Sequence, residues 1–129
     1  MRYLVLPALA VWLSIAGAYQ KPKKPPDVEV IETKARREDG KILVDGRVRV
    51  TAEKPLHGLV IVFDLVSPEN GVLTSLNAEV EPDLIERGQE RTYHSVTAEQ
   101  VRAVKIKIRA FDSGEKELRV SNTGPFPIE

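Results

Sequence analysis

The side chains best suited to hold a metal ion are two histidines and the carboxylates around them. His57, His94 and Asp64 are the donor types of a site with two histidines and one carboxylate. His57 and Asp64 lie seven positions apart in one predicted strand, which separates them by about 20 Å. The odd spacing also directs them to opposite faces of the strand. We therefore interpret both histidines as surface residues, and we expect no metal site and no cofactor.

Nucleophilic catalysis would need a serine with a base beside it. The serines that follow the N-terminal segment are Ser67, Ser75, Ser95, Ser113 and Ser121. None lies in a G-x-S-x-G turn, and Ser95 points away from the adjacent His94 because neighbours on a strand face opposite ways. The acidic residues around Pro82 are Glu79, Glu81, Asp83 and Glu86. They have no aromatic wall that would bind a sugar ring, so we expect a protein that is not an enzyme.

The composition excludes further classes of function. The 129 residues contain 19 Lys+Arg and 19 Asp+Glu, so the formal net charge is zero. A nucleic-acid-binding domain would carry a clear basic excess, and we expect no nucleic-acid partner. Cysteine is absent, which rules out disulfide scaffolds, thiol catalysis and cysteine-ligated metals.

The beginning of the chain is typical of a secretory signal peptide. Arg2 supplies a positive charge, residues 3–15 are apolar, and Ala16-Gly17-Ala18 is the small-x-small pattern that signal peptidase accepts. The alternative is an uncleaved membrane anchor, but the apolar stretch is shorter than the ~20 residues of a spanning helix. We predict a signal peptide at residues 1–18, export to the periplasm or out of the cell, and no stable membrane span after cleavage.

Residues 19–26 form a segment rich in lysine and proline. Prolines fix the backbone in an extended, polyproline-like form and prevent helix or ladder formation. The lysines offer a contact with an anionic surface. We interpret the segment as a solvated tether, because charge clusters of this size usually lie in water.

The rest of the chain has the pattern of short β-strands. Asp45, Arg47 and Arg49 alternate with apolar residues, which is the period of a half-buried antiparallel strand. The predicted strands, about seven in number, cover residues 28–37, 42–51, 56–66, 72–80, 91–97, 104–110 and 118–120. This pattern predicts an all-β fold, a single immunoglobulin-like antiparallel β-sandwich, over residues 27–123. Residues 124–129 form a proline-containing tail.

A set of residues in this region resembles a known bacterial domain. The strand Gly46-Arg47-Val48-Arg49-Val50 is followed by Pro55, a Val/Ile strand into Asp64, Gly71 in a turn, and Leu84 with Gly88-Gln89-Glu90. This order is similar to FxLYD-type domains, immunoglobulin-like modules that are secreted or anchored in the envelope. Val50 and Arg87 stand where that family has Asn and Pro. The resemblance implies an exported sandwich and brings no catalytic residues with it.

The first candidate site is a face formed by two strands. If the third and sixth predicted strands pair in the middle of one sheet, their outward residues meet. These are Val60, Val62, Asp64, Lys105, Lys107 and Arg109. Exposed valines among cations would suit an anionic partner or glycan. The alternative is that Lys and Arg stems cover the valines and complete a solvated face.

The second candidate site is the tail, with Phe126 and Ile128. Two prolines keep this segment out of a central ladder. It would either close one end of the sandwich or enter the groove of a partner. Closure is our interpretation, because leaving Phe and Ile in water costs free energy.

Two functions remain open at this point. The first is a non-catalytic, exported immunoglobulin-like module of the bacterial cell envelope that binds a protein or an envelope polymer, or has a structural role. The alternative is a secreted inhibitor or accessory subunit of an enzyme, which would present residues 68–71 or 82–88 to a cleft. Those loops lack the aromatic anchors that dominate tight interfaces, so the sequence favours the first function.

Overall fold

A computed structural model describes residues 25–129 of the chain. The predicted signal peptide and the tether up to residue 24 lie outside the described residues. Where the tether meets the domain, the Pro26 carbonyl accepts a hydrogen bond from Thr51 Oγ1 at 2.8 Å. No helix formed by residues 25–129 is long and apolar enough to cross a membrane.

Ten β-strands and no α-helix are found in the part of the chain that the structure describes. The strands are β1 (Val28–Glu38), β2 (Lys41–Val50), β3 (Leu56–His57), β4 (Val60–Val66), β5 (Val72–Glu79), β6 (Leu84–Ile85), β7 (Glu90–Ala98), β8 (Lys105–Phe111), β9 (Val120–Ser121) and β10 (Phe126–Pro127). The predicted third strand is divided into β3 and β4 at Gly58, where a φ of 62° turns the chain.

Two four-stranded sheets face each other around one core. The first sheet has the order β7-β2-β1-β9, the second has the order β10-β8-β4-β5, and β3 and β6 form a small separate pair. Neighbouring strands are antiparallel except for β1 and β9. The fold is therefore the immunoglobulin-like all-β sandwich that the sequence predicts.

The core lies between the inward faces of the two sheets. In β2, buried apolar residues alternate with charged residues on the outer face, as predicted. Opposite them, Ile61, Phe63 and Leu65 of β4 are fully buried. Burial of each such side chain stabilises the fold by about 1.5–3 kcal/mol. The β1–β2 hairpin is closed by Asp39 and Gly40, whose φ values of 51° and 74° suit a tight two-residue turn.

The tail closes the sandwich. β10 pairs with β8 at the edge of the second sheet. Ile128 donates its N–H to the Val104 carbonyl beside β8, and the Glu129 carbonyl accepts a hydrogen bond from the Arg37 N–H of β1, both at 2.9 Å. Phe126 and Ile128 are half-buried and pack against the core. The tail therefore joins both sheets of the sandwich.

Tyr93 spans the inside of the first sheet. It stands on β7 opposite Gly46 of β2, and its hydroxyl reaches across that glycine to β1. There it is hydrogen bonded to the Thr33 hydroxyl and donates to the Glu32 carbonyl at 3.3 Å. The ring also packs against Phe63, with 5.4 Å between ring centroids. Burial raises the pKa of Tyr93 to about 12.

Candidate functional site

The strands that were predicted to form the first candidate site are paired. β4 and β8 lie side by side in the centre of the second sheet. Val62 lies opposite Arg109, and Asp64 lies opposite Lys107. Cross-strand partners share one face of a sheet, so the six predicted residues lie on one outer surface. We call this surface, with its neighbour Phe111, the second-sheet face: Val60, Val62, Asp64, Lys105, Lys107, Arg109 and Phe111.

The centre of the second-sheet face is an ion pair. Arg109 donates two hydrogen bonds to Asp64, from Nε to Oδ2 at 2.9 Å and from Nη2 to Oδ1 at 3.0 Å. Ser75 Oγ also donates to Oδ1, at 2.6 Å. The guanidinium lies 5.6 Å from the centroid of the Phe111 ring. The hydrogen bond with Asp64 raises the pKa of Arg109, and both charges are satisfied inside the molecule.

The valines of this face are less exposed than the sequence predicts. Val62 is 7% exposed and Val60 is half-buried, because side chains of the adjacent strands flank β4 and long stems cover apolar surface. Lys105 Nζ donates a hydrogen bond to Asn70 Oδ1. Lys107 is exposed, and no carboxylate among residues 25–129 forms an ion pair with it. The centre of this face therefore fits the alternative in which the valines are covered and the charged groups face water.

Three exposed valines lie instead at one end of the second sheet. Val72 is 60% exposed, Val101 is 82% exposed and Val104 is 40% exposed. Val72 pairs with Val66, and Val104 donates its N–H to the Val66 carbonyl at 2.9 Å. The segments that carry these valines are therefore adjacent, and we call the set Val72, Val101 and Val104 the valine tip.

Arg37 holds the loop of the valine tip in place. Its guanidinium is half-buried near the end of β1, donates to the Ala103 carbonyl, and pairs with the Glu99 carboxylate at 2.5 Å. Val101 is consequently exposed on a loop that is fixed to the first sheet. Pro26 precedes the beginning of β1 and the clamped loop lies beside the end of β1, so Pro26 and the valine tip are at opposite ends of this strand.

Sequence reasoning missed the valine tip because of one irregularity. The alternation in residues 72–80 places Val72 on the same side as Leu76, which in the structure packs against the core. A β-bulge between Leu65 and Val66 shifts the register of β4 and β5, and Val72 is left in solvent. The exposure of Val101 could have been predicted from the sequence, since it is an apolar residue inside a short polar turn.

The outer face of the first sheet carries charges over most of its length. Arg49 lies between Glu29 at 2.9 Å and Glu90 at 2.6 Å. Arg47 lies between Glu32 at 3.9 Å and Glu90 at 3.6 Å. The hydrogen bond from Arg49 lowers the pKa of Glu90. Exposed ion pairs of this kind add little stability, and they leave this face well solvated.

The residues considered for metal binding do not converge. His57, in β3, has its Nδ1 3.4 Å from Asp83 Oδ2. His94 contacts Asp45 within the first sheet, away from β3. Both histidines are exposed. Within residues 25–129, no group of three His, Asp or Glu side chains is placed to hold a metal ion.

The two loops considered for enzyme inhibition are held close to the domain. Residues 82–88 include β6, which pairs with β3 and buries Ile85 completely. Residues 68–71 belong to a tight turn in which the Ser67 carbonyl accepts the Asn70 N–H at 2.9 Å. Main-chain hydrogen bonds therefore hold both loops against the domain.

Comparison with known proteins finds similarity only among solved structures, since no family model and no curated protein matches the chain. IrmA from Escherichia coli is 12% identical, with 79% of this chain and 82% of that chain covered and a TM-score of 0.48. A β-glucuronidase from Bacteroides uniformis is 9% identical with a TM-score of 0.47, and this chain spans 12% of its length. The putative ApaA protein from Bordetella pertussis is 16% identical over 84% of this chain and 93% of that chain, with a TM-score of 0.41. Similarities of this size carry no argument about function.

Proposed function

We propose that this protein is an exported, non-catalytic immunoglobulin-like module of the bacterial cell envelope that binds a protein partner through the valine tip and the adjoining second-sheet face. The observation that carries the proposal is Val101, which is 82% exposed on a loop clamped by Arg37. An apolar side chain on a rigid loop loses little conformational entropy when a partner covers it. Val101 is therefore suited to act as an anchor.

The surroundings of Val101 support a protein interface. Val72 and Val104 extend the apolar area, and Lys107 supplies an exposed cation on the adjoining face. An apolar centre with a polar rim is the usual anatomy of a protein–protein contact. On the outer face of the first sheet, by contrast, the guanidinium groups of Arg47 and Arg49 are engaged with carboxylates.

The location of the tip also supports the proposal. Pro26, the last residue of the predicted tether, precedes the beginning of β1, whereas the loop of the tip lies beside the end of β1. The sequence pattern of residues 1–18 and the resemblance to FxLYD-type modules both favour an extracytoplasmic setting. In that setting, the domain presents its apolar end to other envelope proteins.

The test is capture of a partner from an envelope extract by the immobilised protein and four variants. Val101→Ser and Lys107→Glu change the proposed surface. Val96→Ser and Lys34→Glu are the matched controls, because Val96 is 46% exposed and Lys34 is exposed on the first sheet. We expect Val101→Ser to weaken binding of the captured partner about tenfold or more, as for an interface anchor. The two controls should bind as the wild type does.

Three results would contradict this function. An equal loss in the control variants would show that the surface is not specific. Capture that survives protease treatment of the extract would indicate a polymer as the ligand instead of a protein. Failure to capture any protein would leave a structural role.

A further inference from the structure

The outer edge of β5 is the longest stretch of strand edge in the second sheet that has no partner among residues 25–129. β5 covers Val72–Glu79 and pairs only with β4 there. From Thr74 to Glu79 the pairing is regular. The edge is therefore extended and ready for another strand.

The direction of the main-chain groups on this edge follows from the register. Val80 donates its N–H to the Leu59 carbonyl at 3.0 Å, and the same register continues along β4 and β5. Antiparallel strands alternate between hydrogen-bonded and non-hydrogen-bonded pairs, so even-numbered residues bond to β4. Ser75, Asn77 and Glu79 consequently direct their N–H and C=O groups away from the sheet.

The other sheet edges carry features that discourage strand addition. β9 and β10 have two residues each, and β10 contains Pro127. β7 is long but carries Glu90, Arg91 and His94. Charges and prolines are the usual protection of a free edge. From Val72 to Ala78, β5 has neither.

We propose that a second copy of the chain pairs with β5 in antiparallel orientation, so that two second sheets become one eight-stranded sheet. A two-fold axis through Leu76 places Ser75 of one copy opposite Asn77 of the other, and these residues exchange main-chain hydrogen bonds. Leu76, which is half-buried in a single chain, then meets its own copy. Such pairing is strand addition with the chain as its own partner. It does not depend on the proposed binding function.

Charge complementarity favours the second copy as the occupant. One end of β5 is acidic, with Glu79 followed by Glu81 and Asp83. At the other end, Arg102 pairs with Glu69 of the turn that precedes β5, and Lys105 donates a hydrogen bond to Asn70 of the same turn, so this end has one cation in excess. Antiparallel pairing places the acidic end of each copy beside the cationic end of the other. The dimer therefore contains two attractive contacts and no pair of like charges opposite each other on the strand.

Sedimentation equilibrium tests the proposal on protein expressed from its full sequence and purified in its exported form. The mass should rise to that of two chains as the concentration approaches about 1 mM, a range that includes weak pairing. Asn77→Lys adds a charge at the free edge without breaking a bond to β4 and should give a monomer at every concentration. Thr92→Lys, at an exposed position of β7, is the matched control and should form the dimer. Thermal unfolding of each variant verifies that it is folded.

Several outcomes would overturn the pairing. Wild-type protein that remains a monomer at about 1 mM would do so, as would a dimer that persists in Asn77→Lys. A dimer lost in Thr92→Lys but not in Asn77→Lys would place the interface on β7. Asn77→Thr, which is uncharged and favours strands, should dimerise and so separates the added charge from the lost amide. Val101→Ser should also dimerise, which keeps this test independent of partner binding.

Discussion

Gly46 is the position at which the smallest change should have the largest effect on stability. A Cβ added there would lie 2.2 Å from both Cζ and Oη of Tyr93, and 2.5 Å from the Glu32 carbonyl oxygen. The Tyr93 ring is 4% exposed and the carbonyl belongs to β1. Neither obstacle moves easily in a close-packed interior. We therefore expect Gly46→Ala to displace the Tyr93 ring.

The displacement has two costs. Overpacking of a core costs about 1–3 kcal/mol. Loss of the hydrogen bonds from the Tyr93 hydroxyl to Thr33 and Glu32 costs about 1 kcal/mol each. The free energy of unfolding should fall by about 3–5 kcal/mol, against about 5–15 kcal/mol for a typical domain. For a chain of this size, the Tm should fall by at least about 12 °C.

Urea unfolding followed by circular dichroism measures the effect. Gly71→Ala is the control, because its Cβ would meet only Ser67 Oγ at 3.4 Å, and it should cost less than about 1 kcal/mol. In the double variant Gly46→Ala with Tyr93→Val, the two losses should be less than additive, since removing the ring removes an obstacle. The reasoning is refuted if Gly46→Ala costs no more than Gly71→Ala, or if the two losses simply add.

Three further predictions concern pH, the ion pair and the tail. Burial raises the pKa of Tyr93 to about 12 from an unfolded value of 10.0, so its contribution to stability is intact below pH 10 and is lost as the pH rises through 12; Tyr93→Phe should flatten this part of the stability profile. Asp64→Asn should lower the free energy of unfolding by about 1–2 kcal/mol, since Arg109 keeps partial access to water, and a loss no larger than that of the exposed Asp45→Asn would contradict this. Deletion of residues 124–129 should cost about 3 kcal/mol in thermal unfolding; an unchanged Tm would favour a tail that binds a partner.

The alternation of apolar and polar residues along a strand was enough to predict much of the fold. In β2 and β8, burial depends on which face a residue occupies, so alternation indicates both the strand and its inward side. The pairing of β4 with β8 also followed from sandwich topology. The two-residue strands β6 and β10 leave no such pattern. They exist because distant parts of the chain supply hydrogen-bond partners, which no local window contains.

Contacts within the candidate site were harder to predict. Lys107 is the direct cross-strand partner of Asp64, yet the ion pair forms diagonally with Arg109. That choice depends on the reach of the guanidinium, on Ser75 and on the Phe111 ring, and residue type alone does not determine it. Likewise, Gly46 is one more inward position in the sequence of β2. Only the path of the Tyr93 ring shows why a glycine is needed there.

The way the sandwich closes bears on when it can fold. The Arg119 N–H donates to Asp27 Oδ2 at 3.0 Å across 92 residues of chain, and Ala35 bridges to Ile128. Contacts at such separation form late, because bringing the ends together costs conformational entropy. Until residues 119–128 are in place, one edge of β1 lacks its partner and one side of the core stays open. In the export that we propose, residues 119–128 would therefore be the segment that completes the domain.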